Sequence, residues 1–402
     1  MTSRPAAPAP SPVTRRLGLA AILIGITASV LMQTMLATAM PQVVVEMGDQ
    51  FLYGWVFAAY LLASTVPLPV FAQLADHHGR RPMFLIGMAG YAVGTAAAAL
   101  AVSMQVLVVA RVVQGIGAAA LVPAALAGIA DLAGGPARGR LFGLIGVIQV
   151  VGNIAGPLVG GWFTDGPGWR WGLWAVVPVS VAAIGCAALG LPKASVSGWS
   201  DAWRQVDFAQ PVRTLHRNAE ARRISVGAFL LGVTLMSATA YLPLLVQGVF
   251  GRPASWSSAV LIPLMVGVGV GSMLGGNLSA GRGRVGLVAA WATAAIAFGV
   301  VAMTAASGTG GLWLAGVASA FAGVGIGTVQ PILLVDAQDD AARGAAASAS
   351  SMVQLSRNLG GAVGTSVFGL LVTGASLATG LAWVFAVLAV MAGLGVVNHR
   401  VR

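Results

Sequence analysis

The chain has 402 residues, of which 57% are hydrophobic and only 8% are charged, and its formal net charge is +11. A soluble domain uses about 25% charged residues, so this composition excludes a soluble globular protein. The positive charge does not indicate a nucleic-acid partner, because the basic residues are scattered through short polar segments and form no dense patch.

Six apolar segments occupy the first half of the chain, and several reach the roughly 20 residues that a helix needs to cross a bilayer. They run over 17–44, 51–71, 83–103, 105–130, 140–163 and 171–191. Arg15 and Arg16 precede the first segment, as they would in a signal peptide. Its length and its lack of a small-residue cleavage site instead predict a retained helix.

Six more apolar segments follow a polar stretch. They run over 224–247, 256–279, 285–306, 312–335, 345–373 and 377–397. The pattern predicts an all-α integral membrane protein with twelve transmembrane helices. The predicted regions are a cytoplasmic tail at 1–16, a six-helix bundle at 17–192, a cytoplasmic linker at 193–223 and a second six-helix bundle at 224–402.

The basic residues predict how the chain is oriented. Of the 22 lysines and arginines, 18 fall in the termini and in the connections that share their side. Only Arg170 and Arg252 fall in the connections on the other side. The positive-inside rule therefore predicts a multi-pass protein of the cell membrane with both termini in the cytoplasm.

The second half repeats features of the first half at an offset of 205 residues. Gln149 and Asn153 recur as Gln354 and Asn358 at that spacing. A duplicated six-helix unit explains the offset and predicts two pseudo-symmetric bundles. Parallel repeats of this kind bind substrate near the membrane midplane, between the halves.

A polar motif occupies the turn between the second and third segments, at 72–82. Gly79 permits a tight turn there. Asp76 and Arg80, spaced i and i+4, can form an ion pair, and Arg81 follows. The alternative is that the charges only anchor a short cytoplasmic loop, but that function requires neither Asp76 nor Gly79.

Arg111 and Gln114 lie inside the fourth segment, on one helical face. An arginine within a bilayer costs at least about 2.5 kcal/mol on insertion scales. We therefore expect Arg111 to face a cavity or a polar partner. The alternative is an arginine near the end of the span whose head group reaches the interface.

A stripe of small residues runs along the fifth segment. Gly152, Gly156 and Gly160 recur every four residues, which lets another helix approach closely. Packing explains this spacing alone. It does not require Pro157, nor a second glycine, Gly161, after Gly160.

These three motifs together resemble those of the major facilitator superfamily. In that family the 72–82 loop latches the two halves in the outward-facing state, and the resemblance implies that Asp131 assists it. It implies a part in proton coupling for Arg111. The run 152–161 resembles the motif of antiporter branches, which favours export over import.

Segments 31–41, 241–247 and 357–361 resemble the drug:proton antiporter branch related to fourteen-helix multidrug exporters, here with twelve helices. In that branch an acid lies where this chain has Met32. This chain has no acidic residue deep in any predicted span. Glu46, Asp131 and Asp336, near span ends, remain as candidates for carrying a proton.

We expect the cavity to lie chiefly between the first, fourth, seventh and tenth helices. Its candidate residues are polar groups inside predicted spans, since such groups need partners in a bilayer. Some of them can instead bond neighbouring helices. They are Gln33, Gln114, Gln149, Asn153, Tyr241, Gln247, Gln330, Gln354, Arg357 and Asn358.

The predicted function is a secondary active transporter that exports hydrophobic or amphipathic small molecules by alternating access. Since deep acids are lacking, neutral or anionic compounds are favoured over cations. One alternative is a lipid exporter, flippase or uncoupled facilitator. Another is a receptor or scaffold that keeps the fold without transport.

Other functions find no support in the sequence. There is no Walker motif, no Ser/His/Asp set in one membrane pocket, and a single cysteine, Cys186. The four histidines are dispersed and indicate no metal site. We predict a monomer that is not an enzyme and needs no cofactor, with the substrate, the bilayer and, if transport is coupled, protons as partners.

Overall fold

The computed structural model describes residues 11–132, 136–192, 219–279, 283–308, 311–340, 346–373 and 376–400. Within these ranges the chain is helical and contains no strand, which confirms the predicted all-α class. Ten of the described helices are long and apolar enough to cross a membrane.

The helices form two sets of six spans. The first set consists of α1 (Pro12–Met47), α2 (Tyr53–Thr65) with α3 (Leu68–His78), α4 (Arg80–Ala99), α5 (Met104–Leu132), α6 (Pro136–Asp165) and α7 (Trp169–Gly190). The second set consists of α8 (Ala219–Leu244), α9 (Ser258–Ser279), α10 (Gly283–Ser307), α11 (Leu312–Asp340), α12 (Ala346–Thr373) and α13 (Leu377–Arg400). A π turn (Leu245–Val249) ends α8, and short 3-10 turns precede α2 (Gln50–Leu52) and α9 (Ala254–Ser257).

Two helices begin within regions that the apolar pattern predicts to be tail or linker. α1 starts within the predicted tail, where the Ser11 hydroxyl caps the Thr14 amide at 3.2 Å. α8 starts at Ala219, within the predicted linker. Charged residues interrupt an apolar run but not a helix that continues past the bilayer. The rest of the tail and linker, 1–10 and 193–218, lies outside the described residues.

The second span is divided, although the apolar pattern predicts a single helix over 51–71. α2 ends at Thr65, a turn covers Val66 and Pro67, and α3 continues from Leu68. Proline lacks the amide hydrogen that a continuous helix uses. A single residue, Gly79, separates α3 from α4, and its φ of 91° is one that glycine adopts readily.

Helix pairing is the same in the two bundles. In the first bundle α1 packs on α6 and α7, α2 on α5, and α4 on α5 and α7. In the second bundle the equivalent helices pair identically: α8 on α12 and α13, α9 on α11, and α10 on α11 and α13. This correspondence confirms two pseudo-symmetric six-helix bundles. Between the bundles, α2 contacts α12, α6 contacts α9, and α1 contacts α8.

Glycines bring α9 and α11 into backbone contact. A Cβ placed on Gly271 would lie 2.2 Å from the carbonyl oxygen of Val324. A Cβ on Gly327 would lie 2.2 Å from that of Val268. Small residues at such positions let helices approach closely where lipid offers no hydrophobic drive for association. Gly269, on the same helix, has open space around it.

We predict that Gly271→Ala destabilises the protein while Gly269→Ala does not. Both changes add the same methyl group and the same helix propensity. Only the first forces α9 away from α11, at a cost of about 1–3 kcal/mol. Thermal unfolding in detergent measures the difference. Equal midpoints for the two variants would contradict the close packing of these helices.

Candidate functional site

Arg111 is bound inside the first bundle and is only 1% exposed. Its Nε donates a hydrogen bond to the carbonyl oxygen of Val56 at 3.2 Å, and its Nη1 donates to Gln114 Oε1. Its guanidinium carbon lies 4.1 Å from the centroid of the Tyr60 ring. The charge is therefore stabilised by oxygen dipoles and an aromatic face. Within the described residues no carboxylate pairs with it.

Gln114 extends this network to α4. Its Nε2 donates to Thr95 Oγ1 at 2.8 Å, and the Thr95 hydroxyl donates to the carbonyl oxygen of Tyr91 at 2.8 Å. Gln114 is fully buried. Together Arg111 and Gln114 tie α2, α4 and α5 to one another. Substrate contact by Gln114 and proton coupling by Arg111 stay predictions.

The glycine stripe on α6 packs against α1. A Cβ on Gly156 would lie 1.8 Å from Thr34 Oγ1. One on Gly160 would lie 2.7 Å from the carbonyl oxygen of Met35. Gly152, one turn earlier, has equally little space, with a side chain of α1 2.9 Å from its Cβ position. The stripe therefore fixes how closely α1 and α6 approach.

The last glycine of the motif has a different neighbour. A Cβ on Gly161 would lie 2.4 Å from the Cα of Ser255, in the second bundle. Pro157 is buried one turn earlier. The run 152–161 thus packs within one bundle through its first glycines and against the other bundle through its last.

Asp165 joins the two bundles at the end of α6. Its Oδ1 accepts a hydrogen bond from the Ala254 amide at 2.7 Å, and its Oδ2 accepts one from the Ser255 amide at 2.8 Å. These amides open the turn Ala254–Ser257 that leads into α9. Amides at the start of a helix lack intrahelical acceptors, so a carboxylate there is favoured by hydrogen bonding and by the helix dipole.

Two further hydrogen bonds join the bundles on the same side of the molecule. Gln247 Nε2 donates to the carbonyl oxygen of Thr38 at 2.8 Å. The Tyr53 hydroxyl donates to the carbonyl oxygen of Ala240 at 2.6 Å. All these residues lie near the last turns of α1, α6 and α8 or the first turns of α2 and α9. We call this side, with the Asp165 contacts, the closed end.

The predicted cavity residues fall into two groups. Those with protein hydrogen-bond partners include Gln114, Gln247, Tyr241, whose hydroxyl donates to the Thr365 carbonyl at 2.6 Å, and Asn358, whose Nδ2 donates to Thr65 Oγ1 at 2.7 Å. The Asn358 bond crosses from α12 to α2. Gln354 is half-buried, and its Nε2 donates to Asn358 Oδ1 at 3.4 Å. The half-buried or exposed remainder is Gln33, Gln149, Asn153, Gln330 and Arg357.

Gln33 is half-buried on α1. On α1 it lies between Thr34, which meets α6, and Ser29, whose hydroxyl is 3.5 Å from the Tyr60 hydroxyl on α2. Asn153, on α6, sits beside the glycine stripe that packs on α1. Substrate contact by Gln33 and Asn153 stays a prediction.

The predicted latch is described only in part. Gly79 forms the turn between α3 and α4, and Arg80 and Arg81 begin α4 half-buried. Asp76 lies in α3 and Asp131 in α5, but their side chains lie outside the described residues. The latch therefore stays a prediction.

The carboxylates proposed for proton coupling lie at opposite ends. Glu46, in the last turn of α1, accepts a hydrogen bond from Trp169 Nε1 at 2.7 Å and pairs with Arg170. Asp336 is half-buried near the far end of α11, within electrostatic range of Arg223. Neither is near the middle of a span, and their roles stay predictions.

The sequence matches the model of a known protein family. A family model for the Major Facilitator Superfamily matches residues 22–365. The chain belongs to the major facilitator superfamily. Family and fold are those of transporters, which are not enzymes. The predicted resemblance is confirmed.

Relatives of known name include multidrug proteins of Bacillus subtilis (strain 168). Identity to Multidrug resistance protein 3 is 28% over 308 residues, covering 63% of this chain and 60% of that protein. Identity to Multidrug transporter protein MdtP is 26% over 408 residues, covering 88% and 75%. The chain thus spans about three fifths of the first relative's length.

Solved transporters share the fold at low identity. The bacterial homolog of the human lysosomal transporter Spinster, inward-facing and unoccupied, has a TM-score of 0.74 at 17% identity, covering 97% of both chains. A mutant of the nucleoside transporter NupG has a TM-score of 0.76 at 14% identity, covering 96% of this chain and 99% of that one. Both similarities support the twelve-helix, two-bundle architecture.

Three residues of the site, Asp165, Tyr53 and Tyr60, are not predicted by the sequence pattern. Asp165 precedes Gly166 and Pro167, a pattern that indicates a turn and nothing further. One available signal was its position four residues after Gly161, on the same face of α6. The two tyrosines lie in an apolar run, where they read as core.

We predict that Asp165→Ala weakens the closed end and that Asp49→Ala does not. Asp165 bonds across the bundles, whereas Asp49 Oδ2 accepts from Gln105 Nε2 at 2.8 Å within the first bundle. Spin labels at positions 162 and 256, on exposed residues of opposite bundles, report the separation. We expect a larger long-distance population only with Asp165→Ala. An unchanged distribution would contradict the assignment.

Proposed function

We propose that this protein exports hydrophobic or amphipathic small molecules from the cell by alternating access. One observation carries the proposal: the bundles are joined at the closed end by a few hydrogen bonds and glycine contacts, which can break without unfolding either bundle. The multidrug names of the relatives and the antiporter-type run 152–161 support export. Because the chain spans only part of some relatives, their activities enter only as support.

The orientation that we propose puts the closed end outside the cell. The basic residues of the termini and of the 72–82 turn then lie in the cytoplasm, as the positive-inside rule expects. A cavity sealed at the closed end opens toward the cytoplasm, from which an exporter takes its substrate. The proposed location is the cell membrane.

Thiol labelling tests this orientation. Cys186 is the only cysteine, so Cys186→Ser gives a background without reactive thiols. We expect a membrane-impermeant maleimide to label a cysteine at exposed position 252 in intact cells. A cysteine at exposed position 219 should be labelled only after permeabilisation. The reverse pattern would place the closed end in the cytoplasm.

The variant Arg111→Ala tests transport most directly. Arg111→Ala leaves the buried Gln114 Oε1 without its donor and removes the hydrogen bond from α5 to α2, a loss of about 1–3 kcal/mol. In proteoliposomes given a panel of amphipathic compounds, we expect export to fall about tenfold or more. Arg252→Ala, at an exposed site, should export normally. Equal accumulation with wild type and Arg111→Ala would favour the receptor or scaffold alternative.

Proton coupling is part of the same proposal. We expect an imposed pH gradient to drive export, and Glu46→Gln or Asp336→Asn to weaken that dependence. Export that ignores the gradient would instead indicate an uncoupled facilitator. Movement of labelled phospholipid in place of the soluble compounds would indicate a lipid exporter.

A further inference from the structure

We propose that Arg357 is a substrate-binding residue that recognises a negatively charged head group on an apolar molecule. This inference rests on the proposed export function and names its substrate class: a carboxylate, sulfonate or phosphate on an amphipathic body.

Arg357 lies deep in the membrane. It is the twelfth residue of the 28-residue helix α12, so about 16 Å of helix precedes it and about 24 Å follows it, and its Cα lies about 4 Å from the middle of the helix. Half the thickness of a hydrocarbon core is about 15 Å. The guanidinium is therefore attached near the midplane, where two-bundle transporters hold their substrates.

Arg357 does not lie on the lipid side of α12. Val363, Val367 and Leu370 are 46–53% exposed and mark the lipid side. Gly361 lies on the opposite side of the helix, and Arg357, spaced i and i+4 from it, lies on the flank between the two sides. A Cβ on Gly361 would lie 2.6 Å from a side-chain carbon of Met236 on α8 and 3.2 Å from one of Leu61 on α2, so this face lies where α12 meets the first bundle.

Within the described residues, the guanidinium of Arg357 has no protein partner. Its Nε is buried without a hydrogen bond, and no carboxylate lies within ion-pair distance. Arg111, the other arginine inside a span, has a carbonyl oxygen, an amide oxygen and an aromatic ring as partners. A charge at this depth is costly unless it is paired or hydrated. An anion would supply the partner that the Arg357 guanidinium lacks.

The surroundings hold Arg357 in place without neutralising it. A Cβ on Gly232 would lie 1.7 Å from the Arg357 carbonyl oxygen, so α8 is pressed against α12 at this point. The next residue, Asn358, is bound to Thr65 across the bundles, and Gln354 precedes it by one turn. A rigid backbone with neutral amides beside one free guanidinium suits a binding site.

Packing in the repeat does not call for an arginine here. The position 205 residues earlier is Gly152, which closes against α1. The first bundle thus has a helix contact where the second has a charge. Guanidinium groups bind carboxylate, sulfonate and phosphate through charge-assisted and often bidentate hydrogen bonds, whereas they repel the lipophilic cations typical of many drug panels.

Two fluorescent probes that differ by one sulfonate test the proposal. We would measure binding of 1-anilinonaphthalene-8-sulfonate and of the neutral N-phenyl-1-naphthylamine to the full chain in phosphatidylcholine nanodiscs. Energy transfer from its 11 tryptophans reports binding. We expect Arg357→Gln to weaken sulfonate binding about ten- to a hundredfold and to leave the neutral probe unchanged. Arg357→Lys should retain part of the sulfonate affinity.

The controls separate this inference from the proposed function. Arg252→Gln should bind both probes as wild type does. Retained binding of the neutral probe shows that Arg357→Gln is folded.

If that variant misfolds, competition on the wild type tests the inference instead. An alkyl carboxylate should displace the sulfonate probe, and the matching alkyl amine should not. Equal sulfonate affinity in wild type and Arg357→Gln, with the neutral probe bound and exported, overturns the Arg357 inference alone. Failure of wild type to bind or export either probe overturns both.

Nanodisc composition distinguishes the source of the anion. If a phosphatidylglycerol head group occupies Arg357, sulfonate binding weakens in phosphatidylglycerol nanodiscs for wild type and not for Arg357→Gln. If the site takes free amphipathic anions, the two lipids give the same affinity. Both results support an anion site at Arg357 and assign its natural occupant.

Discussion

The cost of an unpaired charge in a bilayer is the constraint on which the rest of this structure depends. Only 8% of the 402 residues are charged, and in the part of the chain that the structure describes nearly every ionised group lies near a helix end or has partners inside a bundle. Arg111 shows the second case, since its charge is spread over two oxygens and a ring. Arg357 departs from both patterns within the described residues, and this departure is the basis of the binding role that we propose for it.

Glycine contacts hold neighbouring helices of each bundle at short distances from one another. Gly271 and Gly327 bring α9 against α11, and Gly156 and Gly160 bring α6 against α1, at distances that no Cβ tolerates. Because such backbone contacts fix the internal geometry of each bundle, relative motion concentrates at the interface between bundles. There Asp165 accepts a pair of amide hydrogen bonds, and Gly54 and Gly161 bring the first bundle close to the backbone of the second.

Much of the fold follows from one-dimensional features. Apolar length and charge interruptions predict the spans, and the spacing of Gly152, Gly156 and Gly160 predicts a close helix contact. What sequence alone misses depends on residues far apart in the chain. Asp165 meets amides 89 and 90 residues away, and Tyr60 lies under Arg111 on another helix. Neither pairing has a local sequence pattern. The lack of a partner for Arg357 among the described residues has none either.

A reversible cross-link across the closed end tests the central claim that the bundles part there in each transport cycle. The Cβ position of Gly161 lies 3.2 Å from that of Ser255, near the spacing of a disulfide. In a Cys186→Ser background, paired cysteines at 161 and 255 should abolish export when oxidised and restore it when reduced. Undiminished export with the cross-link formed would contradict alternating access through this end.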